Sequence, residues 1–366
     1  MSDDKLRPAP PELAELRERI RAAQAGGTPL RLRGGGTKDF YGAVLAGEVL
    51  DTSGYRGVVS YEPTELVITA RCGTPLSELR GVLAEKGQML PFEPPAFGAG
   101  ATIGGTIAAG LAGPRRMAAG AARDFVLGVA LLDGRGEWLE FGGRVMKNVA
   151  GYDVSRLACG SLGILGVIAE VSLKVMPLPA AEVSVLIEAA EADALALTSG
   201  WAARPLPVSA TSWADGELRV RLSGAAAAVA EAANAFAADH GAVTIAADQA
   251  SHHWEQVREQ RAAFFAGDQV LWRIAVPDTA APLGLPGATL IEWSGAQRWV
   301  RSSAAESDIR AAARAAGGHA SAFRGGNRGA GVFEQLPEPL AAIHRRLKAR
   351  FDPAGILNPG RMYPDL

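Results

Sequence analysis

Residues 11–24 place Leu13, Leu16 and Ile20 on one helical face, with Pro11 at the start and Gly26-Gly27 as the stop, and this spacing predicts a helix. Alternation then takes over. Leu30-Arg31-Leu32-Arg33 predicts a strand that runs into Gly34-Gly35-Gly36-Thr37, and Glu65–Cys72 predicts a second strand. Thr74-Pro75-Leu76-Ser77-Glu78 predicts a helix opened by a threonine cap, a proline and an acid, and closed at Gly87. Thr102–Leu111 predicts a short helix with glycine on one face. Phe125–Phe141 predicts a hairpin turning at Asp133-Gly134. Leu165–Val175 predicts a further strand, closed by Pro177 and Pro179.

Beyond Pro179 glycine-rich loops give way to alanine-rich helices such as Gly224–His240, between predicted strands near 183–188, 218–223, 269–276 and 287–293. The pattern divides the chain into an α+β unit at 1–178, a second α+β unit at 183–320 and a helical tail at 330–366, with no internal repeat. In the tail, Leu336, Leu340, Ile343 and Leu347 form an amphipathic stripe, and Arg345, Arg346, Lys348 and Arg350 collect where cations suit a helix C-terminus.

Composition narrows the function. The chain has 366 residues, 37 basic and 39 acidic, for a net charge of −2, so no bulk charge favours nucleic acid or an anionic membrane. Two cysteines, Cys72 and Cys159, rule out a disulfide framework and a multi-cysteine iron–sulfur or zinc site. The five histidines are His240, His252, His253, His319 and His344, so residues 1–239 contain none. The early acids of MSDDKLRPAPPELAELRERI argue against a signal peptide. The 18-residue uncharged run Ala96–Gly113 has the length of a membrane span, but its six glycines and bracketing prolines point to a backbone-rich ligand site.

Glycine is in excess, 44 of 366 residues or about 12% against about 7% in ordinary proteins, and it is clustered. The clusters are Arg33-Gly-Gly-Gly-Thr37, Gly98-Ala-Gly-Ala-Thr-Ile-Gly-Gly105 and Gly160-Ser-Leu-Gly-Ile-Leu-Gly166. Successive glycine amides form nests for anions, and three such turns in one unit point to a diphosphate ligand with a long footprint. No phosphate-loop motif of the G-x-x-x-x-G-K-[ST] kind is present, and Gly98, Gly100 and Gly104 only approach the dinucleotide fingerprint without its preceding strand.

The runs RGGGTKDFYG, PFEPPAFGAGATIGGTIAAGLAGPRR, RDFVLGV and MKNVAGYDVSRLACGSLGILGVIAEVSLK resemble the FAD-linked oxidases of the vanillyl-alcohol-oxidase (PCMH) type. With IEWSGAQRW at 291–299 and FDPAGILNPGR at 351–361, the resemblance extends to the FAD-binding (E) subunits of bacterial glycolate oxidases. It implies a PCMH-type FAD-binding domain of two α+β subdomains, an α+β cap domain with the substrate face, and a C-terminal helix returning to the FAD domain. It assigns the pyrophosphate to Arg33, Gly34, Gly35, Gly36 and Thr37, and the ribityl and ring to Pro94, Gly100, Ala101, Thr102, Ile103, Gly104 and Gly105. Arg123 and Asp124 fall near the flavin, Gly160, Gly163, Ile164 and Ile168 on its adenine side, and Asn358 near the ring. Lys147, Asn148, Gly151, Tyr152 and Asp153 read as positional. Covalent flavin attachment in this superfamily usually needs a flavin-domain histidine, so the expectation is non-covalent FAD, with both cysteines as small buried residues.

Oxidation of a 2-hydroxy acid also needs a base and a cation for the carboxylate. No histidine cluster or metal site is expected: His252 and His253 face different sides of a helix, and His319 and His344 stand alone. The candidate cations are Arg324, Arg328 and Arg361. Two roles follow: a flavoenzyme oxidising glycolate itself, or an FAD-bearing electron-transfer and assembly subunit beside a catalytic FAD subunit and an iron–sulfur subunit that feeds the quinone pool. A stand-alone oxidase or dehydrogenase of another 2-hydroxy acid, sugar or lactone is the alternative. The expected location is cytoplasmic, reaching the inner membrane only through partner subunits.

Overall fold

The computed structural model describes residues 10–143, 153–329 and 331–366, so Lys147, Asn148, Gly151 and Tyr152 lie outside the described residues. The first helix, Pro11–Gly26, carries a proline in its first turn and is closed by Gly27 at φ 63°. Its buried face, Leu13, Leu16, Ile20 and Ala23, packs with Leu30, Leu50, Leu132, Val167 and Leu357. Leu30–Arg33 pairs in parallel with Glu48–Asp51, and Leu30 also bridges Leu357 of the tail.

A five-stranded antiparallel sheet forms the larger part of the N-terminal unit, in the order Val58–Glu62, Val67–Arg71, Val167–Lys174, Val126–Leu132, Trp138–Gly142. Ile68, Val129, Val171 and Leu173 of this sheet share a core with Leu76, Leu79 and Leu83 of one helix and Ile103 and Ile107 of another. The first of these helices spans Leu76–Ala84 without the expected threonine cap. The Thr74 hydroxyl instead donates to Arg71 O (2.7 Å) and accepts from Gly57 N (2.9 Å), so it ties a loop together. The hairpin turns through a longer loop than a two-residue turn: buried Asp133 accepts from the amides of Arg135 (2.8 Å) and Glu137 (2.9 Å).

The second unit is built on an eight-stranded antiparallel sheet, in the order Val243–Ile245, Ala181–Glu188, Glu217–Gly224, Val208–Ala214, Ala288–Glu292, Gln297–Arg301, Leu271–Ala275, His319–Arg324. Two cores flank it. Val185, Val220 and Leu222 pack with Trp201 and Phe236, while Trp272, Ile274 and Val300 pack with Ile309 and Ala313. A further aromatic core joins the units, with Tyr41, Phe40 and Phe97 from the first meeting Phe265, Trp299 and Phe323 from the second. The ring centres of Phe40 and Phe323 lie 5.5 Å apart, and those of Tyr41 and Phe323 5.2 Å.

The C-terminal helix, Glu338–Phe351, corrects the expected stripe: Leu340 and Ile343 are 42% and 43% exposed, and the buried residues are Lys348 and Phe351. The helix's buried side chains lie in its last turn. Lys348 Nζ reaches Ile164 O (2.9 Å), Asp352 Oδ2 (2.7 Å) and Leu357 O (2.6 Å), so the expected dipole-matching cation is an internal clamp. Among the described residues no helix is long and apolar enough to cross a membrane, and 96–113 folds as loop, short helix (Ile103–Ala109) and loop.

Candidate functional site

The first two glycine clusters lie against each other. A Cβ on Gly35 would stand 1.5 Å from Gly100 O, and one on Gly34 would stand 2.4 Å from Thr102 Oγ1. Across this contact, Gly35, Ala99, Gly100 and Gly105 are exposed, while Gly34, Gly36 and Thr37 are half-buried. Among the described residues, no acceptor meets the amides of Gly34, Gly35, Gly36, Thr37 or Lys38. Five consecutive donors in one turn are therefore left without an internal acceptor, as an anion nest requires. Arg33 pairs with Asp39 (3.0 Å) beside them. Lys38 Nζ donates to Ala96 O (3.3 Å), and burial pulls its ammonium down to about 8.

The helix that opens at Ile103 does not present its amides in the same way. Ile103 N donates to Thr74 O (2.9 Å), Gly104 N to Cys72 O (2.9 Å), and Gly105 N to the Thr102 hydroxyl (3.3 Å). Ala101, Thr102, Ile103 and Gly104 are buried, as is Pro94, whose carbonyl accepts from Arg80. A Cβ on Gly104 would meet Cys72 Cβ at 2.6 Å. In the third cluster Gly160 N and Leu162 N cap the same helix at Ile107 O (3.0 Å) and Ala108 O (2.9 Å). Gly163, Ile164 and Ile168 are buried, the two isoleucines within the sheet core. Exposed Arg123 and Asp124 lie in a short 3-10 turn, where Asp124 accepts from Ala121 N (2.9 Å). Asp153 caps Val154–Ala158.

The candidate cations part company. Arg361 is buried and its guanidinium donates to the carbonyls of Lys38 (3.3 Å), Asp39 (3.1 Å), Tyr41 and Ala43, which staples the loop after the first glycine turn. Arg328 Nε donates to Gly42 O (3.0 Å) of the same loop. Asn358 is equally engaged: Oδ1 accepts from Leu32 N (2.7 Å) and Nδ2 donates to Leu162 O (2.6 Å). Arg324 donates to Gln260 Oε1 (3.0 Å) and lies 4.4 Å over the Phe40 ring.

Gln260 lines a small cavity of about 20 Å³ between the two units, room for about one water. Pro95, Phe97, Leu111 and Gly113 line it from the N-terminal unit; Arg258, Arg273, Glu292, Gln297, Trp299 and Phe323 line it from the second. Three adjacent strands carry its polar groups: Arg273 Nε donates to Gln297 Oε1 (2.7 Å), and Gln297 Nε2 to Glu292 Oε2 (3.2 Å). Trp299 Nε1 donates to that same oxygen (2.6 Å). Burial pushes the Glu292 carboxyl up to about 7, against the opposing pull of these bonds and of Arg273. The candidates from sequence did not include this residue. Its one signal is an acid two positions from Leu290 on the inward face of a strand, where a carboxylate has no ordinary structural reason to stand.

The cysteines are thiols rather than thiolates: burial pushes Cys72 and Cys159 each up to about 12. His252 is exposed and His253 half-buried against Trp254, its ring held down near 4 by burial. Among the described residues, no three His, Cys, Asp or Glu side chains gather as a metal would require.

Comparison with known proteins agrees with this geometry. The family profile "FAD binding domain" matches residues 8–142, and "FAD linked oxidases, C-terminal domain" matches 296–362. Glycolate oxidase subunit GlcE of Escherichia coli is 45% identical over 351 residues, 96% of this chain and 97% of that protein. D-2-hydroxyglutarate dehydrogenase of Xanthomonas citri is 32% identical over 172 residues, 46% of this chain and 36% of that protein. A solved structure of alkyldihydroxyacetonephosphate synthase superposes with a TM-score of 0.66 over 94% of this chain and 75% of its own, at 14% identity, and so shows the fold. The α+β architecture, the unpartnered amides of the first glycine turn among the described residues and these matches together make the chain an FAD-linked oxidoreductase that belongs to the family of glycolate oxidase subunit GlcE.

Proposed function

We propose that this chain is the FAD-bearing subunit of a glycolate oxidase (glycolate dehydrogenase) complex, oxidising glycolate to glyoxylate and passing electrons through an iron–sulfur partner to the quinone pool. The observation that carries this reading is the 45% identity over 96% of the chain to a glycolate oxidase subunit. With two cysteines in the chain, an iron–sulfur cluster belongs to a partner.

The residues fit FAD. The free amides of Gly34–Lys38 match a pyrophosphate, with Arg33 and Thr37 at the ends of the nest and Ala99, Gly100 and Gly105 as the exposed opposite wall. Pro94, Ala101, Thr102, Ile103, Gly104, Gly163, Ile164, Ile168 and Asn358 are buried and Gly160 half-buried, as a supporting frame for the cofactor would be, while Arg123 and Asp124 are exposed. Bound FAD supplies the two-electron oxidant. The chain's own part is to hold it and to exclude water with the aromatic seam of Phe40, Phe97 and Phe323. Both thiols being protonated, and no histidine lying before His240, support non-covalent attachment. The separate sheets support units at 1–178 and 183–320 with a returning tail at 330–366. A cytoplasmic location suits the same reading.

The test is an absorbance spectrum of the purified chain before and after anaerobic glycolate, followed by denaturing filtration. Yellow flavin in the filtrate and reduction by glycolate, in the chain or in its reconstituted complex, are expected. Purified chain that neither carries nor takes up FAD overturns the reading.

A further inference from the structure

We propose that Glu259 is a positioning residue for the cofactor: from the second unit it holds the Ala96–Gly100 segment against the first glycine turn, and so sets FAD affinity without lying in the glycine nest. The inference rests on the FAD reading and adds to it a dependence on the second unit.

The segment needs a hold from outside itself. Phe97 lies at φ +56°, a left-handed conformation that a bulky residue keeps only where its surroundings impose it. Gly98 follows at φ +146° and passes close to the first glycine turn, since a Cβ there would stand 3.2 Å from Thr37 Cγ2. Two residues further on, Gly100 makes the tight contact with Gly35. The course of 96–100 therefore fixes what stands against the turn whose amides lack acceptors among the described residues.

Glu259 supplies the hold. Its Oε2 accepts from the successive amides of Ala96 (3.0 Å) and Phe97 (2.8 Å), while Oε1 accepts from Arg258 Nε (2.8 Å). One carboxylate oxygen thus spans two consecutive donors, one of them on the left-handed residue, and such charge-assisted bonds are the strong kind. The base beneath it is firm. Glu259 follows the Ala247–Arg258 helix and donates its own amide to Glu255 O (2.8 Å), and Trp254 of that helix donates to Ser184 Oγ (2.9 Å) in the second unit's sheet. Burial alone would raise the Glu259 carboxyl; the bonds from Arg258 and Phe97 N, with the charges of Arg258 and Arg80, outweigh it and hold the group below its ordinary 4.5. Lys38 takes the other side of the same residue: its Nζ donates to Ala96 O (3.3 Å) and lies 5.7 Å from the centre of the Phe97 ring. Ala96 is held through its amide by the second unit and through its carbonyl by the end of the glycine turn.

FAD is titrated by flavin fluorescence into chain freed of flavin, near neutral pH. Glu259→Ala should weaken binding about tenfold or more, as two bonds to a charged acceptor are lost. Glu259→Gln should stay within about threefold of the wild type, because one amide oxygen can accept from both donors as Oε2 does. Val229→Ala, in the separate core of Val185 and Phe236, should lower the Tm and leave FAD affinity unchanged. Hydrogen exchange at the Ala96 and Phe97 amides, read in the same chains, should quicken about tenfold or more in Glu259→Ala and stay slow in Val229→Ala. Wild-type affinity in Glu259→Ala, an equal loss in Val229→Ala, or no rescue by Glu259→Gln overturns the proposal. If Glu259→Ala does not fold, Glu259→Asp takes its place: one methylene shorter, it should bind FAD more weakly than Glu259→Gln, and equal affinity refutes the role. A wild-type chain that takes up no FAD strikes the function reading instead; the exchange rates then judge the hold on Ala96 and Phe97, and unchanged exchange in the variant refutes it.

Discussion

A single methyl group at Gly35 would land 1.5 Å from the carbonyl oxygen of Gly100. Neither partner is a flexible side chain, so the two loops cannot both keep their course. Gly35→Ala should cost about 3 kcal/mol or more and empty the protein of flavin, whereas Gly160→Ala should cost only the left-handed backbone penalty of about 1–2 kcal/mol, since φ is +83° but nothing lies within 4 Å. Thermal denaturation and the flavin-to-protein absorbance ratio of the two variants check this; equal losses would refute it. The comparison also changes what such substitutions measure. Bulk at Gly35 or Gly104 tests the packing of loop on loop, or of helix on Cys72, before it tests the approach of a ligand.

At the scale of elements, the loop at 93–115 is joined to the second unit's sheet by buried charge. Glu93 accepts from Arg221 (2.9 Å) and Arg115 N (3.0 Å), while Arg115 also reaches Glu182 (2.7 Å). Burial alone would raise the Glu93 carboxyl; Arg221 and Arg115 outweigh it and hold it below its ordinary 4.5. The stabilisation is therefore present above the unfolded-state value and is lost as pH falls below it. Glu93→Gln leaves Arg221 and Arg115 with half-exposed Glu182 as their one remaining carboxylate partner among the described residues and should cost about 3 kcal/mol at pH 7, with the deficit shrinking under acid. Urea denaturation at two pH values checks this; a deficit independent of pH would point to packing instead.

Across the whole molecule, the aromatic seam and the Glu93 network make the two units one structure around the glycine nest. The tail adds a second tie: Leu357 bridges Leu30, and Asn358 reaches both the first strand and Leu162. Ligand binding at the nest should then stabilise the full chain. FAD at about 100 times its Kd adds about 2.7 kcal/mol and should raise the Tm by about 3–4 °C, in one shared transition. Differential scanning calorimetry with and without FAD checks it. Two transitions, of which FAD moves only one, would show the seam to be weak.

The helices and strands with a clean period were legible from the residues: Pro11–Gly26 from its leucine face and terminal glycine, and Val167–Lys174 from its apolar run. Strands such as Gln297–Arg301 and His319–Arg324 were not, because arginines and alanines occupy inward positions that only tertiary partners neutralise. The glycine clusters announced a diphosphate ligand, since backbone freedom and bare amides are local properties. Which cluster keeps its amides free was decided by neighbours far along the chain, with Thr74 and Cys72 taking those of the second cluster and Ile107 and Ala108 those of the third. The same holds for charge. Arg361 reads in the sequence as a ready anchor for an anion, yet the fold closes it on four carbonyls, while Glu292, unremarkable among its neighbours, is buried where it accepts from Trp299 and Gln297. Local spacing determines which backbone shapes are possible; desolvation and pairing, which decide what a charged group can do, depend on contacts between residues distant in the chain.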